Sequence, residues 1–285
     1  MSSSESGQFR KAVTFRDLHQ HSVPFVLANA WDAGTARLLT KAGFAALGTT
    51  SAGLAFSLGL VDGANRVDRE LTLHNAGQIV AATPLPVSAD LESGFADTSA
   101  EVEQTILRAA EAGLVGGSIE DATGTAAAPI RPLDEAVDRV RHAVRAARSL
   151  PFPFTLTARA ENFLYGNPDL DDTIRRLCAY AEAGADVLYA PGLPDRDTIR
   201  MLCARVPRPV NVLASGQPPL PSVTEFAELG ARRISLGSLL PRVALTRVQH
   251  AAREILDFGT FTCAEDAQSY PATNQLISAD PPTRD

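Results

Sequence analysis

Pro84-Leu85-Pro86-Val87-Ser88-Ala89-Asp90-Leu91-Glu92 and Val115-Gly116-Gly117-Ser118-Ile119-Glu120-Asp121 are two short apolar runs that each end in carboxylates, with a helix-like stretch between them. Strand, helix, strand in that order is the unit of a parallel sheet, and its two strands then end on the same edge. Asp90, Glu92, Glu120 and Asp121 therefore converge on one face. Unpaired acids so placed repel one another unless a cation sits among them. A divalent metal site is the leading expectation.

The same alternation continues outward in both directions. Strands are expected at 24–29, 45–50, 86–90, 115–120, 152–158, 187–190, 210–213 and 233–236, and helices at 33–42, 71–81, 100–112, 133–147, 171–183, 195–206, 223–229 and 242–256. About eight such units in this length point to an α/β fold of the (β/α)8, TIM-type barrel class, since an open doubly wound sheet more often uses five or six strands. Gly43, Gly113, Gly184 and Gly230 each follow a helix pattern and precede a strand, where glycine supplies the left-handed residue that ends a helix. The organisation expected is a flexible N-terminus (1–12), a barrel domain (13–257), and a C-terminal helical segment and tail (258–285), with the extra helix around 264–269.

Of the 285 residues, 45% are hydrophobic and 21% charged, enough chain to bury one large core or two modest ones. The formal net charge of −7, with no run of arginines, argues against a nucleic-acid binder and for small-molecule chemistry. Three scattered cysteines make neither a disulfide framework nor a zinc cluster, which fits a reducing cytoplasm. The polar start reads as a loose terminus and not a signal peptide, and no apolar stretch is long enough for a bilayer. All five histidines fall in helical or N-terminal stretches and are read as packing or surface residues.

A barrel keeps its chemistry at the C-terminal ends of its strands. Those ends here carry Asn29 with Asp32, then Thr50-Ser51-Ala52-Gly53, Asp90 with Glu92, and Glu120-Asp121. They continue with Arg159, Glu161 and Asn162, then Tyr189, Asn211 and Ser235. Asn29, Asp32 and Ser235 read equally well as caps or loop residues. The small residues at 51–53 would let backbone N–H groups cradle an oxyanion. Arg159 offers a planar fork for a carboxylate or phosphonate, or else pairs internally with Glu161 or Glu120. Glu161 either orients Arg159 or meets substrate with Asn162. Tyr189 is either a proton donor or a wall, and Asp121 an outer partner accepting from water or backbone.

These residues, in order, resemble the isocitrate lyase/phosphoenolpyruvate mutase superfamily over roughly 25–256. Thr50-Ser51-Ala52-Gly53 with Ser57-Leu58-Gly59 and Asp62 resembles its substrate loop, and Ala89-Asp90-Leu91-Glu92-Ser93-Gly94-Phe95 its metal motif, with Glu92 where many members have aspartate. Ser118-Ile119-Glu120-Asp121 and Thr157-Ala158-Arg159 match two further motifs, and Asn211 falls where many lyases have asparagine. The resemblance implies a Mg2+ enzyme (Mn2+ the alternative) acting on 2-oxo acids through enol forms, with Asp90, Glu92 and Glu120 around the metal. It also implies Arg159, Asp62 and Tyr189 as catalytic candidates. Thr50, Ser51, Ala52, Gly53, Arg159, Glu161, Asn162 and Asn211 would contact substrate. A homo-oligomer, dimer or tetramer, is implied as well.

The departures narrow the reaction. Lyases of the superfamily carry a Lys-Arg-Cys-Gly-His type segment soon after the Ile-Glu-Asp motif, whereas 122–132 here has no cysteine, lysine or histidine. They also place a glutamate near Ala190, so isocitrate or methylisocitrate cleavage is not expected. Mutases and phosphonate hydrolases usually have a lysine in that segment, but Lys11 and Lys41 are the only lysines in the chain. Decarboxylation or related C–C cleavage asks least of this loop and ranks first; P–C bond chemistry is the alternative. A relative that binds a dicarboxylate without turnover is a third reading.

Overall fold

The computed structural model describes residues 3–216 and 218–278, with side chains from residue 7 onward. Eight strands close a parallel barrel in sequence order: β1 (Phe25–Ala30), β2 (Ala46–Thr49), β3 (Val87–Asp90), β4 (Gly116–Glu120), β5 (Thr155–Arg159), β6 (Val187–Tyr189), β7 (Val210–Leu213) and β8 (Arg233–Ser235). Closure is made by β1 on β8, with Phe25 opposite Arg233 and Leu27 opposite Ser235. The expected strands are all present, each within a few residues of its expected ends.

Helices α2 (Ala33–Lys41), α4 (Arg69–Ala81), α5 (Val102–Glu111), α6 (Leu133–Ser149), α7 (Leu170–Glu182), α8 (Arg196–Arg205) and α9 (Val223–Glu228) alternate with the strands, and α10 (Leu239–Phe258) follows β8. Their starts are set by side-chain caps. Asp32, Asp68, Asp169, Asp195 and Ser222 each accept the backbone N–H three residues on, which satisfies a donor the helix leaves open. At the other end Gly113 (φ 89°) and Gly184 (φ 106°) take the positive φ that lets the chain turn into the next strand.

Three elements depart from expectation. Residues 3–12 are not loose: α1 (Ser3–Leu18) is a helix in which Ala12 and Phe15 are fully buried against Phe25, Leu27, Ala46 and Val115, at the N-terminal end of the barrel. The Ser-rich start hid an apolar face that begins only at Ala12. A short helix α3 (Ser51–Ser57), capped by Thr50, stands where the small residues read as a loop. After α10 the chain makes a single 3-10 turn (Thr262–Glu265) and then α11 (Tyr270–Ile277), started by Ser269, so the extra helix lies beyond 264–269.

Side chains alternate across a strand, so residues two apart face the same side. Ser88 thus lies beneath Asp90, Ser118 beneath Glu120, and Thr157 beneath Arg159. Barrels of this class usually fill their interior with bulky branched side chains. Here the interior is left partly open, and a cavity of ≈ 140 Å³ descends from the C-terminal rim past Ser88 and Ser118, room for about five waters at ~30 Å³ each.

Candidate active site

Arg159, the last residue of β5, is the hub of the rim. Its Nη1 donates to Asp90 Oδ1 at 2.9 Å and lies 3.1 Å from Glu120 Oε2, while its Nε donates to Glu161 Oε1 at 2.8 Å. The guanidinium carbon sits 5.1 Å from the centre of the Tyr189 ring. Asp90 is fixed from the other side, accepting from Ser51 Oγ at 2.9 Å, and its backbone N–H donates to Thr49 Oγ1 at 3.0 Å. Glu92 follows in the left-handed region (φ 47°), an uncommon conformation for a non-glycine residue, and its N–H reaches back to Asp90 Oδ1 at 3.3 Å.

The charge balance is lopsided. Burial, and then the neighbouring Asp90 and Asp62 carboxylates, push Glu92 up to about 7. Burial raises Glu120 well above the ordinary carboxylate range even with Arg159 beside it, and Asp62 is raised by burial and by Asp90. Burial works against the charge on Arg159, yet Glu120, Glu161 and Asp90 more than offset it and hold the guanidinium well above its usual value. Burial raises the Tyr189 phenol to about 12, so it keeps its proton at neutral pH.

Among the described residues no three Asp, Glu, His or Cys side chains are placed to share one ion. A direct cage made by Asp90, Glu92 and Glu120 is therefore not formed, because Arg159 stands between Asp90 and Glu120. The donor set still suits a hard cation: all oxygen, with an excess of acids over one guanidinium, and suited to an ion that keeps several waters and takes only one or two carboxylates directly.

Thr50, Ser51, Ala52, Asp90, Arg159, Tyr189 and Asn211 all line the cavity. Others stand apart. Asn162 is fully buried and donates to Asp172 Oδ2 at 2.8 Å, off the cavity wall. Glu161 is buried behind Arg159 and orients it. Gly53 gives its N–H to Thr50 Oγ1 at 3.2 Å, so it is not part of a free amide cradle. A side chain there would strike Thr50 and Trp31, at 2.6 and 2.9 Å, so its glycine serves packing.

Asn29 staples strands: it donates to Thr49 O at 2.6 Å and accepts from the amides of Leu236 and Gly237 at 2.9 Å each. Asp121 accepts from the Glu161 amide at 2.9 Å, Tyr180 Oη at 2.7 Å and Arg176 Nη1 at 3.1 Å, and so braces the segment behind Arg159. The 122–132 loop folds back on itself, Thr123 N to Pro129 O at 2.9 Å, and Asn65 from the Asp62 loop donates to Gly124 O at 3.2 Å. Sequence reasoning missed Arg233, which lines the cavity below the rim. The signal was present in Arg232-Arg233 opening an apolar strand, where one of two successive arginines must face inward.

Residues 15–256 match the family model described as phosphoenolpyruvate phosphomutase. The chain belongs to this family. It is thereby a member of the isocitrate lyase/phosphoenolpyruvate mutase superfamily and an enzyme of lyase or mutase type. A crystal structure from Burkholderia cenocepacia J2315, provisionally described as a lyase/mutase, is 53% identical, with a TM-score of 0.92 over 95% of this chain and 96% of that one. The 2-methylisocitrate lyase of Salmonella typhimurium is 31% identical over 81% of this chain and 79% of its own length. The oxaloacetate decarboxylase of Chromohalobacter salexigens is 30% identical over 85% and 84%. No helix of the described residues is long and apolar enough to cross a membrane.

Proposed function

We propose that this family member is a Mg2+-dependent (or Mn2+-dependent) enzyme that cleaves a C–C bond of a small 2-oxo acid, most simply by decarboxylation, through an enolate. The observation that carries this reading is Arg159 held among Asp90, Glu120 and Glu161 at the mouth of a small polar cavity, beside a 122–132 loop without cysteine, lysine or histidine. When bound, the cation supplies Lewis-acid stabilisation of the charge that develops on the 2-oxo oxygen. Asp90 and Glu92 would hold it, with Glu120 acting through water.

The chain's own groups do the rest. The Nη2 of Arg159 makes no hydrogen bond to the described residues and faces no competitor for a substrate carboxylate. Glu161 fixes the plane of that fork. Ser51 holds Asp90 in position, and Tyr189, whose ring centre lies 5.1 Å from the guanidinium carbon, keeps its phenol protonated to give a hydrogen bond or a proton. Asp62 lies near enough to Asp90 for burial and that carboxylate to raise its own carboxyl, a shift in the direction a proton donor needs. The loops carrying Asp62 and Gly124, already in contact, exclude water from a reactive enolate.

P–C bond chemistry is the second reading, favoured by the description of the matched family model and disfavoured by the missing loop lysine. A homo-oligomer is proposed as well. Leu256, Phe258 and Tyr270 are 83%, 77% and 81% exposed on the C-terminal segment, apolar surface that a second copy would cover. The reducing use of cysteine fits a cytoplasmic enzyme. Incubating the protein and Mg2+ separately with oxaloacetate and phosphonopyruvate, while following pyruvate, tests the reaction. Release from oxaloacetate that disappears in Asp90→Ala supports C–C cleavage, and release only from phosphonopyruvate moves the assignment to P–C chemistry. Tight binding without product makes the protein a dicarboxylate binder.

A further inference from the structure

Arg233 opens β8 and is 3% exposed, yet it forms part of the cavity wall. Its Nε donates to Asn211 Oδ1 at 2.8 Å, its Nη2 to Thr157 Oγ1 at 3.1 Å, and its Nη1 lies 3.4 Å from His19 Nε2. All three partners are neutral: the Asn211 amide, the Thr157 hydroxyl, and an imidazole whose burial and position beside Arg233 push it down to about 3. A guanidinium has five N–H donors, so one on each terminal nitrogen is left without a partner among the described residues. Burial lowers the Arg233 guanidinium to about 10, opposed by the nearby Tyr189 phenol and by no carboxylate.

The contrast with Arg159 is sharp, because that guanidinium touches three acids. A buried cation with no counter-charge is costly and ordinarily occurs paired. The position of Arg233 says what would pair with it. Thr157, which its Nη2 touches, lies two residues before Arg159 on β5 and faces the same interior. One such step is ~6.6 Å of strand, so the two guanidiniums meet one cavity at different depths. Ser88 and Ser118 line the space between these levels, small enough to leave it open and polar enough to hold a carboxylate.

We propose that Arg233 is a second anion anchor at the floor of the cavity, gripping the carboxylate of a dicarboxylic substrate remote from Arg159 and so selecting diacids over monoacids. This deepens the function proposed above and rests on it for the 2-oxo acid head at the rim. Arg233 touches substrate in this account, whereas Asn211 and His19 hold its fork in place. If Arg233 were only a strut between strands, its loss would weaken the fold without changing which acids bind.

Calorimetry on the Mg2+-loaded protein with lactate and malate separates the two, since these unreactive 2-hydroxy acids differ by the distal carboxylate. Wild type is expected to bind malate about tenfold or more tightly than lactate. Arg233→Gln is expected to remove that preference, with an effect on malate of about tenfold or more, and to leave lactate affinity unchanged. Should Arg233→Gln not fold, Arg233→Lys, which keeps the charge and loses the fork, is expected to weaken malate selectively. Equal binding of the two acids by wild type, no binding of either, or a variant that weakens both alike overturns the anchor. Pyruvate release from oxaloacetate is read separately: a malate preference that Arg233 controls, in a protein with no turnover, leaves the anchor standing and removes the catalytic reading.

Discussion

The two ends of this barrel are built on opposite principles. At the C-terminal rim Arg159 is crowded by Asp90, Glu120 and Glu161, and the acids outnumber the cation. Toward the N-terminal end Arg233 meets only neutral groups, and α1 closes over them with Phe15 and His19, whose ring stacks edge-on against Phe15 and Phe25 at 4.9 and 5.0 Å. Both arginines are buried, so burial alone does not predict role. Acids in excess of one guanidinium mark the end proposed to react, whereas at the other end the apolar cluster around Phe15 closes the barrel beneath a guanidinium that no acid neutralises.

Substitutions at the two ends should therefore separate activity from stability. The largest effect on stability is expected from Phe15→Ala, a loss of about 3–5 kcal/mol in chemical denaturation with the turnover of the remaining folded protein unchanged. Asp90→Asn is expected to do the reverse, costing about 100-fold or more in turnover while the unfolding midpoint barely moves. If Phe15→Ala proved as damaging to turnover as Asp90→Asn, the division between the ends would fail.

Acid sharpens the same contrast. His19 takes up a proton near pH 6.5 when unfolded but only near 3 when folded. Between those values the unfolded chain binds more protons, so stability falls as pH drops through that window, by up to several kcal/mol. A neutral replacement, His19→Gln, is expected to flatten the dependence of denaturant midpoint on pH between 6.5 and 4; an unchanged slope would assign acid lability elsewhere. Smaller effects follow at the rim. Gly53→Ala is expected to cost about 1–3 kcal/mol by overpacking against Thr50 and Trp31. Glu161→Gln is expected to lower turnover about 10–100-fold with KM for the 2-oxo acid raised, as befits a residue that aims Arg159.

What could be read in the sequence follows from where the signal lies. The strands were legible because each is a short apolar run with a polar tip, four of them opened by a glycine turn, and Asp90, Glu120 and Arg159 were legible because strand ends share one face. Helix α1 was not, since its buried face is only Ala12 and Phe15 behind a serine-rich start. Asn162 was placed in the site by proximity in sequence to Arg159, but one residue past Glu161 the chain has turned toward Asp172. Arg233 went unread because a charged residue at the start of a strand looks like a loop boundary until closure brings β8 against β1 and the interior is seen to be hollow.

The claim on which the rest depends is that the acid-rich rim acts on a 2-oxo acid with a divalent cation. Its most direct test is the rate of pyruvate release from oxaloacetate by metal-stripped protein, before and after Mg2+ or Mn2+ is restored. Activity that vanishes on chelation, returns with either ion well above the rate the ion alone supports, and is absent in Asp90→Asn is the result predicted. Oxaloacetate decay that matches the protein-free rate at every metal concentration, or turnover indifferent to chelation, would contradict it.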